Sequence, residues 1–265
     1  MPTQRTGLTV YMHGLPGTAA ELRLCSNGGW MQGSQLFVPD RHRLAGQGGA
    51  AEHFARLSDI IAEQSGGASI HLVGFSLGAA AALRVAARLK GAVHRIDLIA
   101  PAAPLTLGDF LGAMAGGGLF GMARDHPRRF RLACSLQGVL ARVAPAVLVR
   151  TLLAGSRGAD RQLASRAEFR ALLTALLAET FAAGAVPYRT EIAAYVAQWE
   201  PVLAAVTQPV TIWQGDQDNW VPPAMALALA ERLSCADEVR MLPGLSHYST
   251  LAWYLDRFRP GDSPP

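Results

Sequence analysis

The feature that most constrains this chain is a set of short runs, most of them continuously apolar, with longer stretches of helical character between and after them. Leu8 to Met12, Leu36 to Val38, Ile70 to Phe75, Arg95 to Ala100 and Val210 to Gln214 read as strands, with a sixth at Glu238 to Leu242. Most do not alternate apolar and polar residues, so both faces of the sheet they form must be covered, as in parallel sheets. Helical patterns at Ala51 to Gln64, Leu77 to Lys90, Pro223 to Leu233 and Tyr248 to Phe258 lie between and after them. Strand alternating with helix predicts an α/β fold with a mostly parallel, doubly wound sheet.

The alternation stops between Leu105 and about Pro201, where no run reads as a strand. Helices are expected there at Leu107 to Met114, Arg128 to Arg142, Pro145 to Ala154, Gln162 to Ala183 and Tyr188 to Leu203. They are separated by Gly116 to Gly118, Gly155 to Gly158 and Pro187. The expected organisation is a core domain of residues 1–104 and 202–265 with an inserted helical cap, or lid, of residues 105–201. The cap leaves the sheet from the carboxyl end of a strand, the edge at which open α/β sheets bind ligands.

Composition excludes several classes. Half of the 265 residues are apolar and 17% are charged, which suits a compact enzyme and not a disordered or fibrous chain. The net charge of +4 comes almost wholly from arginine. These basic residues are not striped with aromatics along one face, so no nucleic-acid partner is expected. Apolar stretches are interrupted by Arg84 and Arg88, or by Glu179 and Gly184, too early for a membrane span. Met1 to Gly7 carries no apolar signal region, and a cytoplasmic location is expected. Cys25, Cys134 and Cys235 lack metal or disulfide spacing. Neither a metal nor an organic cofactor is expected, and the expected state is a monomer or weak homodimer.

Chemistry concentrates where strands end. Gly74-Phe75-Ser76-Leu77-Gly78 fits G-x-S-x-G with a strand before it and a helix after it, the context in which a sharp turn holds a serine up as a nucleophile. The flanking Gly74 and Gly78 let neighbouring backbone pass close enough for that turn. A serine hydroxyl needs a base, and the base needs an orienting carboxylate. Gln214-Gly-Asp216-Gln-Asp218-Asn-Trp-Val-Pro222 follows the fifth strand and Pro243-Gly-Leu-Ser-His247 the sixth, so two aspartates and one histidine are offered at the same sheet edge. His13-Gly-Leu-Pro-Gly17 gives a glycine turn after the first strand, with His13 and Gly14 shaping the loop. The amides of Leu15 and Leu77 are the candidate oxyanion donors.

With these four motifs in order, the chain resembles the alpha/beta-hydrolase fold family, in its serine-nucleophile branch with a helical cap. The resemblance implies that Ser76 is the nucleophile, Asp218 the acid and His247 the base, since Gly215-x-x-Asp218-x-x-Val221-Pro222 carries the family spacing; Asp216 is then a turn former. It implies a serine hydrolase, a carboxylesterase most simply, acting on a small-molecule acyl substrate. Thioester, lactone or carbon-carbon cleavage and acyl transfer are alternatives on the same fold, and a ligand-binding receptor with an idle triad is the alternative of another class. About seven residues precede Leu8, so the sheet is expected to lack the family's first two strands and to leave Leu36 to Val38 near an exposed edge. The Asp40 to Gly48 loop, with Arg41, His42, Arg43 and Gly46-Gln-Gly48, departs from the family's D-x-x-G-x-G turn. Phe75, Leu77, Phe110, Met114, Phe120, Met122, Trp213 and Trp220 are the apolar side chains available to line a pocket. Arg124, Arg128, Arg129 and Arg131 around His126 are the densest basic cluster.

Overall fold

The structure, a computed structural model, describes residues 7–30, 35–44 and 49–261. Six strands form one sheet: β1 (Leu8–Met12), β2 (Leu36–Phe37), β3 (Ile70–Phe75), β4 (Val93–Ile99), β5 (Val210–Gly215) and β6 (Arg240–Leu242). Their spatial order is β2-β1-β3-β4-β5-β6, and every pair is parallel. One register row, Val10, Leu72, Ile96 and Val210, crosses four strands, and all four residues are fully buried. Burial on both faces is why these strands read as continuous apolar runs; truncating a residue such as Leu72 to Ala costs about 2–5 kcal/mol. The edges differ: β2 is only two residues long and partly buried, and β6 exposes Met241.

Because all strands run the same way, the residues after β1, β3, β5 and β6 gather at one edge. The chain passes from β1 out to β2 and returns to β3 on the other side, so the switch point, where such sheets open a crevice, falls between β1 and β3. Helices α1 (Arg41–Leu44), α2 (Ala50–Ser65), α3 (Leu77–Leu89), α10 (Pro223–Arg232) and α11 (His247–Arg257) complete the sheet-and-helix part. α3 is alanine-rich because it lies directly against the sheet; Ala79, Ala82 and Ala86 have no exposed surface. The Gly46-Gln-Gly48 part of the Asp40 to Gly48 loop lies outside the described residues.

Between β4 and β5 the chain is helical, but not with the expected boundaries. Leu107 to Met114 is no helix: Gly108 is extended and two short 3₁₀ turns, Leu105–Leu107 and Leu111–Ala113, replace it. Gly116 to Gly118 does not separate helices but opens one, α4 (Gly117–Asp125). A Cβ on Gly117 would lie 1.9 Å from the Leu111 carbonyl, so glycine is what lets this helix start there. α5 (Pro127–Val143) and α6 (Pro145–Leu153) match expectation, each with proline at its first turn. The single helix expected over Gln162 to Ala183 is two, α7 (Asp160–Ser165) and α8 (Ala167–Thr180). Arg166 is extended between them, and the Arg170 guanidinium donates to the freed carbonyls of Ala164 and Ser165 at 2.9 and 2.8 Å. α9 (Val186–Val196) ends where Ala197 turns extended, and Glu200–Ala205 is a 3₁₀ turn, so Tyr188 to Leu203 is not one helix.

Candidate active site

The turn after β3 holds Ser76 at φ 56°, ψ −124°, a left-handed conformation that costs a non-glycine residue about 1–3 kcal/mol. Three backbone bonds fix it: Ser76 N–H donates to the Ile99 carbonyl at 3.0 Å, and the Ser76 carbonyl accepts from Ala79 and Ala102 at 3.0 and 3.2 Å. The two motif glycines are required by close approach. A Cβ on Gly78 would sit 2.1 Å from the Met12 carbonyl oxygen and 2.4 Å from that of His13, and one on Gly74 would sit 2.7 Å from the Ala79 Cα.

The loop after β5 turns inward so that Asp218 is buried. Its Oδ1 accepts from the Trp220 and Val221 amides at 2.8 and 2.9 Å, and Oδ2 lies 2.8 Å from His247 Nδ1. Gln214, fully buried, braces this loop by donating to the carbonyls of Gly215 and Val221 and to Asp218 Oδ2. Asp216 instead accepts from the Gly244 amide at 2.8 Å, tying its turn to the loop after β6. His247 opens α11, its ring held between Phe75, 4.6 Å away centre to centre, and Trp220, stacked at 5.8 Å. Burial pulls the His247 pKa down, but the Asp218 carboxylate, by charge and hydrogen bond, outweighs it with help from Asp160 and Glu21. The net result is a raised pKa. With Nδ1 facing Asp218, Nε2 is the nitrogen left to take a proton.

The loop after β1 is clamped from both sides. Glu21, fully buried, accepts the Gly14 N–H at 3.0 and 3.1 Å and the Tyr11 hydroxyl at 2.7 Å. His13 Nδ1 and Arg41 Nη2 donate to the Gly14 carbonyl at 2.9 and 3.3 Å, and His42 donates to that of Gly17 at 2.8 Å. Burial, then the charges of Arg41 and His42, lowers the His13 pKa well below its ordinary value, so the ring is neutral. The N–H groups of Leu15 and Leu77 donate to no carbonyl among the described residues, which leaves both available to a ligand.

A sequence profile of the alpha/beta hydrolase family matches residues 10–258. The chain belongs to the alpha/beta hydrolase family. Solved structures share the fold: a bromoperoxidase from Bacillus anthracis (17% identity, 94% of this chain and 88% of that one, TM-score 0.64) and a hydrolase from Oleispira antarctica (13%, 94% and 88%, 0.61). A third is an alpha/beta hydrolase from a Medee basin deep-sea metagenome library (18%, 94% and 85%, 0.55). No curated protein matches the chain.

Ser76 of this alpha/beta hydrolase opens on a pocket of about 240 Å³, walled by Leu15, Leu77, Met114, Phe120 and Trp220. That volume lies below the roughly 300–1,000 Å³ of pockets for drug-sized ligands. Of the apolar candidates, Phe75 packs on His247 instead, and Trp213 joins Trp253, Tyr254 and Phe258. Phe110 and Met122 stand outside the lining. α5 adds a polar group to the wall, Gln137, whose Oε1 is buried without a partner. A separate cleft of about 340 Å³, lined by His13, Asp40, His42, Arg43 and Glu179, does not reach Ser76. Among the described residues no cluster of three His, Cys, Asp or Glu is arranged to hold a metal. Burial pushes the Cys134 thiol up to about 11, which makes it a poor nucleophile.

Sequence reasoning missed Glu21, Arg41 and Asp160. Asp160, in α7, accepts the Tyr248 and Ser249 amides at 3.0 and 2.7 Å, and so caps the helix that His247 begins. The available signal for Glu21 was a lone acid in the apolar stretch Ala19-Ala20-Glu21-Leu22 seven residues after Gly14. Arg41 showed only as one of the residues by which the loop after β2 departs from the family turn, and Asp160 carries no signal without the fold.

Proposed function

We propose that this alpha/beta hydrolase is a serine hydrolase that cleaves a carboxylic ester or related acyl compound through Ser76, His247 and Asp218. The observation that carries this reading is the buried 2.8 Å contact of Asp218 with His247 Nδ1, together with a strained Ser76 on a pocket whose wall includes Trp220, the ring stacked on His247. Ser76 Oγ attacks the substrate carbonyl carbon while His247 Nε2 takes the hydroxyl proton, and the Asp218 carboxylate stabilises the imidazolium. The carbonyl electron pair moves to its oxygen, which the Leu15 and Leu77 N–H groups bind. Collapse of this intermediate breaks the ester C–O bond; the departing alkoxide takes the proton from His247 and leaves as the alcohol. Water then attacks the acyl-enzyme, giving a proton to His247, and the acid departs as that proton returns to Ser76.

The helical residues 105–201 act as the cap in this reading, since Met114, Phe120, Gln137, Leu152 and Tyr188 supply much of the pocket wall. A small, mainly apolar pocket favours a short acyl group. The test is hydrolysis of p-nitrophenyl esters from acetyl to palmitoyl by the wild type and by Ser76→Ala. The expected result is an optimum at short chains with the variant at background. Equal rates in both proteins would remove Ser76 from the mechanism, and no turnover of any ester would remove the esterase reading.

A further inference from the structure

Helix α5 is apolar on two opposite faces, and only one of them has a partner. Phe130, Cys134, Gly138 and Ala141 face the protein and are buried. Leu132, Leu136, Val139 and Val143 face outward and are 73, 58, 52 and 73% exposed. At 100° per residue these four fall within an arc of about 60° and run about 16 Å along the helix. Val147 in α6, 45% exposed, continues the surface. Scattered apolar side chains are ordinary on a protein surface, but a contiguous ridge of this kind marks a binding face.

The surrounding charge decides what binds. Between Pro127 and Leu153 the chain carries Arg128, Arg129, Arg131, Arg142 and Arg150 and no carboxylate. All five arginines are exposed, and none makes an ion pair among the described residues. The flanking acids are otherwise engaged, Asp125 with Arg124 and Asp160 with the start of α11. A second copy of this chain docking face to face would set arginine against arginine with nothing to neutralise them. No single helix among the described residues is long and apolar enough to cross a membrane; α5 and α6 pass that test of composition only together, bent by 117°. A bent, basic, apolar-ridged pair lies on a bilayer and does not cross it.

We propose that the α5–α6 face docks this protein on anionic lipid surfaces, with the ridge entering the headgroup region and the arginines meeting lipid phosphates. Gln137 and Leu152 of the same two helices line the Ser76 pocket, so docking sets the pocket wall against the membrane. The inference does not depend on which bond Ser76 attacks.

The test is sedimentation of the full-length protein with phosphatidylcholine vesicles, with and without phosphatidylglycerol, at low and physiological salt. Binding is expected to need phosphatidylglycerol and to weaken with salt. Each arginine at an anionic surface strengthens binding about fivefold, so Arg128→Ser/Arg129→Ser/Arg131→Ser is expected to weaken it about a hundredfold. Leu132→Asp/Leu136→Asp is expected to reduce it by more than about tenfold. These positions are exposed and outside the pocket, so far-UV circular dichroism and hydrolysis of a soluble ester should be unchanged and thereby report folding. No binding of anionic vesicles at low salt, or equal binding by wild type and both variants, overturns the proposal. So does a dimer, seen in analytical ultracentrifugation, that Leu132→Asp/Leu136→Asp dissolves while vesicles remain unbound.

Discussion

Glu21 is the group whose replacement tests the architecture most sharply. It has no exposed surface, and burial raises its pKa from the ordinary 4.5 to about 7 against the opposing pull of Tyr11, the Gly14 amide, Arg41 and His247. For a carboxyl with a raised folded-state pKa, stability is complete below pH 4.5, where folded and unfolded chains both hold the proton. As pH climbs, the unfolded chain ionises first, and stability falls until the folded carboxyl also ionises near pH 7. At 1.36 kcal/mol per pKa unit the loss is about 3 kcal/mol. Glu21→Gln is a permanently uncharged analogue that can still accept the Gly14 N–H and donate to Tyr11. It should lack this loss, while imperfect hydrogen bonding costs it about 1 kcal/mol at every pH. The assay is urea unfolding of both proteins from pH 4.5 to 8, taking the difference so that other titrating groups cancel. The variant should gain about 3 kcal/mol on the wild type across that range, or about 6–12 °C in Tm. A difference that stays constant with pH would refute the reasoning.

Four other substitutions test the site and the packing around it. Gly78→Ala places a Cβ 2.1 Å from the Met12 carbonyl oxygen, a backbone atom that cannot swing aside, and should cost more than about 4 kcal/mol in urea unfolding; Gly121→Ala, where the nearest atom is 3.8 Å away, should stabilise α4 by up to about 1 kcal/mol. Equal effects of the two would contradict the packing described. Gln137→Leu removes an unpartnered buried oxygen from the pocket wall, and KM for p-nitrophenyl butyrate should fall about fivefold, equivalent to about 1 kcal/mol; an unchanged or higher KM would show that the oxygen faces no acyl group. Asp160→Asn takes away one of the charges that raise the His247 pKa, so the acid limb of the kcat/KM pH profile should move to lower pH. A limb that stays in place would separate Asp160 from the titration of His247.

The sheet was legible because β1 and β3 are buried on both faces, and a strand in that position is mostly apolar; their observed bounds, Leu8–Met12 and Ile70–Phe75, are those runs themselves, with Thr9 and His71 the polar residues in them. The motif positions after the strands were legible for the same reason, since parallel strands deliver every following loop to one edge. The helical residues between β4 and β5 were less so. α8 buries Phe169, Leu173, Leu176 and Leu177, but the break before it comes from one extended residue, Arg166, whose side-chain type gives no warning. Glu21 and Arg41 were hidden because a buried charge is recognisable only by its partners, and those lie ten residues away at Tyr11 and 150 away at Glu191.

Arg41 and Asp160 constrain how the helical segment between β4 and β5 can move. Arg41, with no exposed surface, joins the Gly14 carbonyl at 3.3 Å to Glu191 of α9 at 2.9 Å, so the loop after β1 is tied to the helical segment through a buried ion pair. Breaking such a pair by removing one partner costs about 3–5 kcal/mol, because the other charge is left stranded. Asp160 makes a second tie, from α7 to the first amides of α11 beside His247. Two buried charges thus anchor the segment, one behind the loop after β1 and one behind His247. A segment held at both points would have to break both contacts to swing away as a rigid body. Access to Ser76 is therefore expected through local movement of the wall that no buried charge holds, the 3₁₀ turns and α4 around Met114 and Phe120, where the Ala115 N–H to the Asn219 carbonyl at 2.7 Å is the bond to break, and not by hinged opening of all the helices.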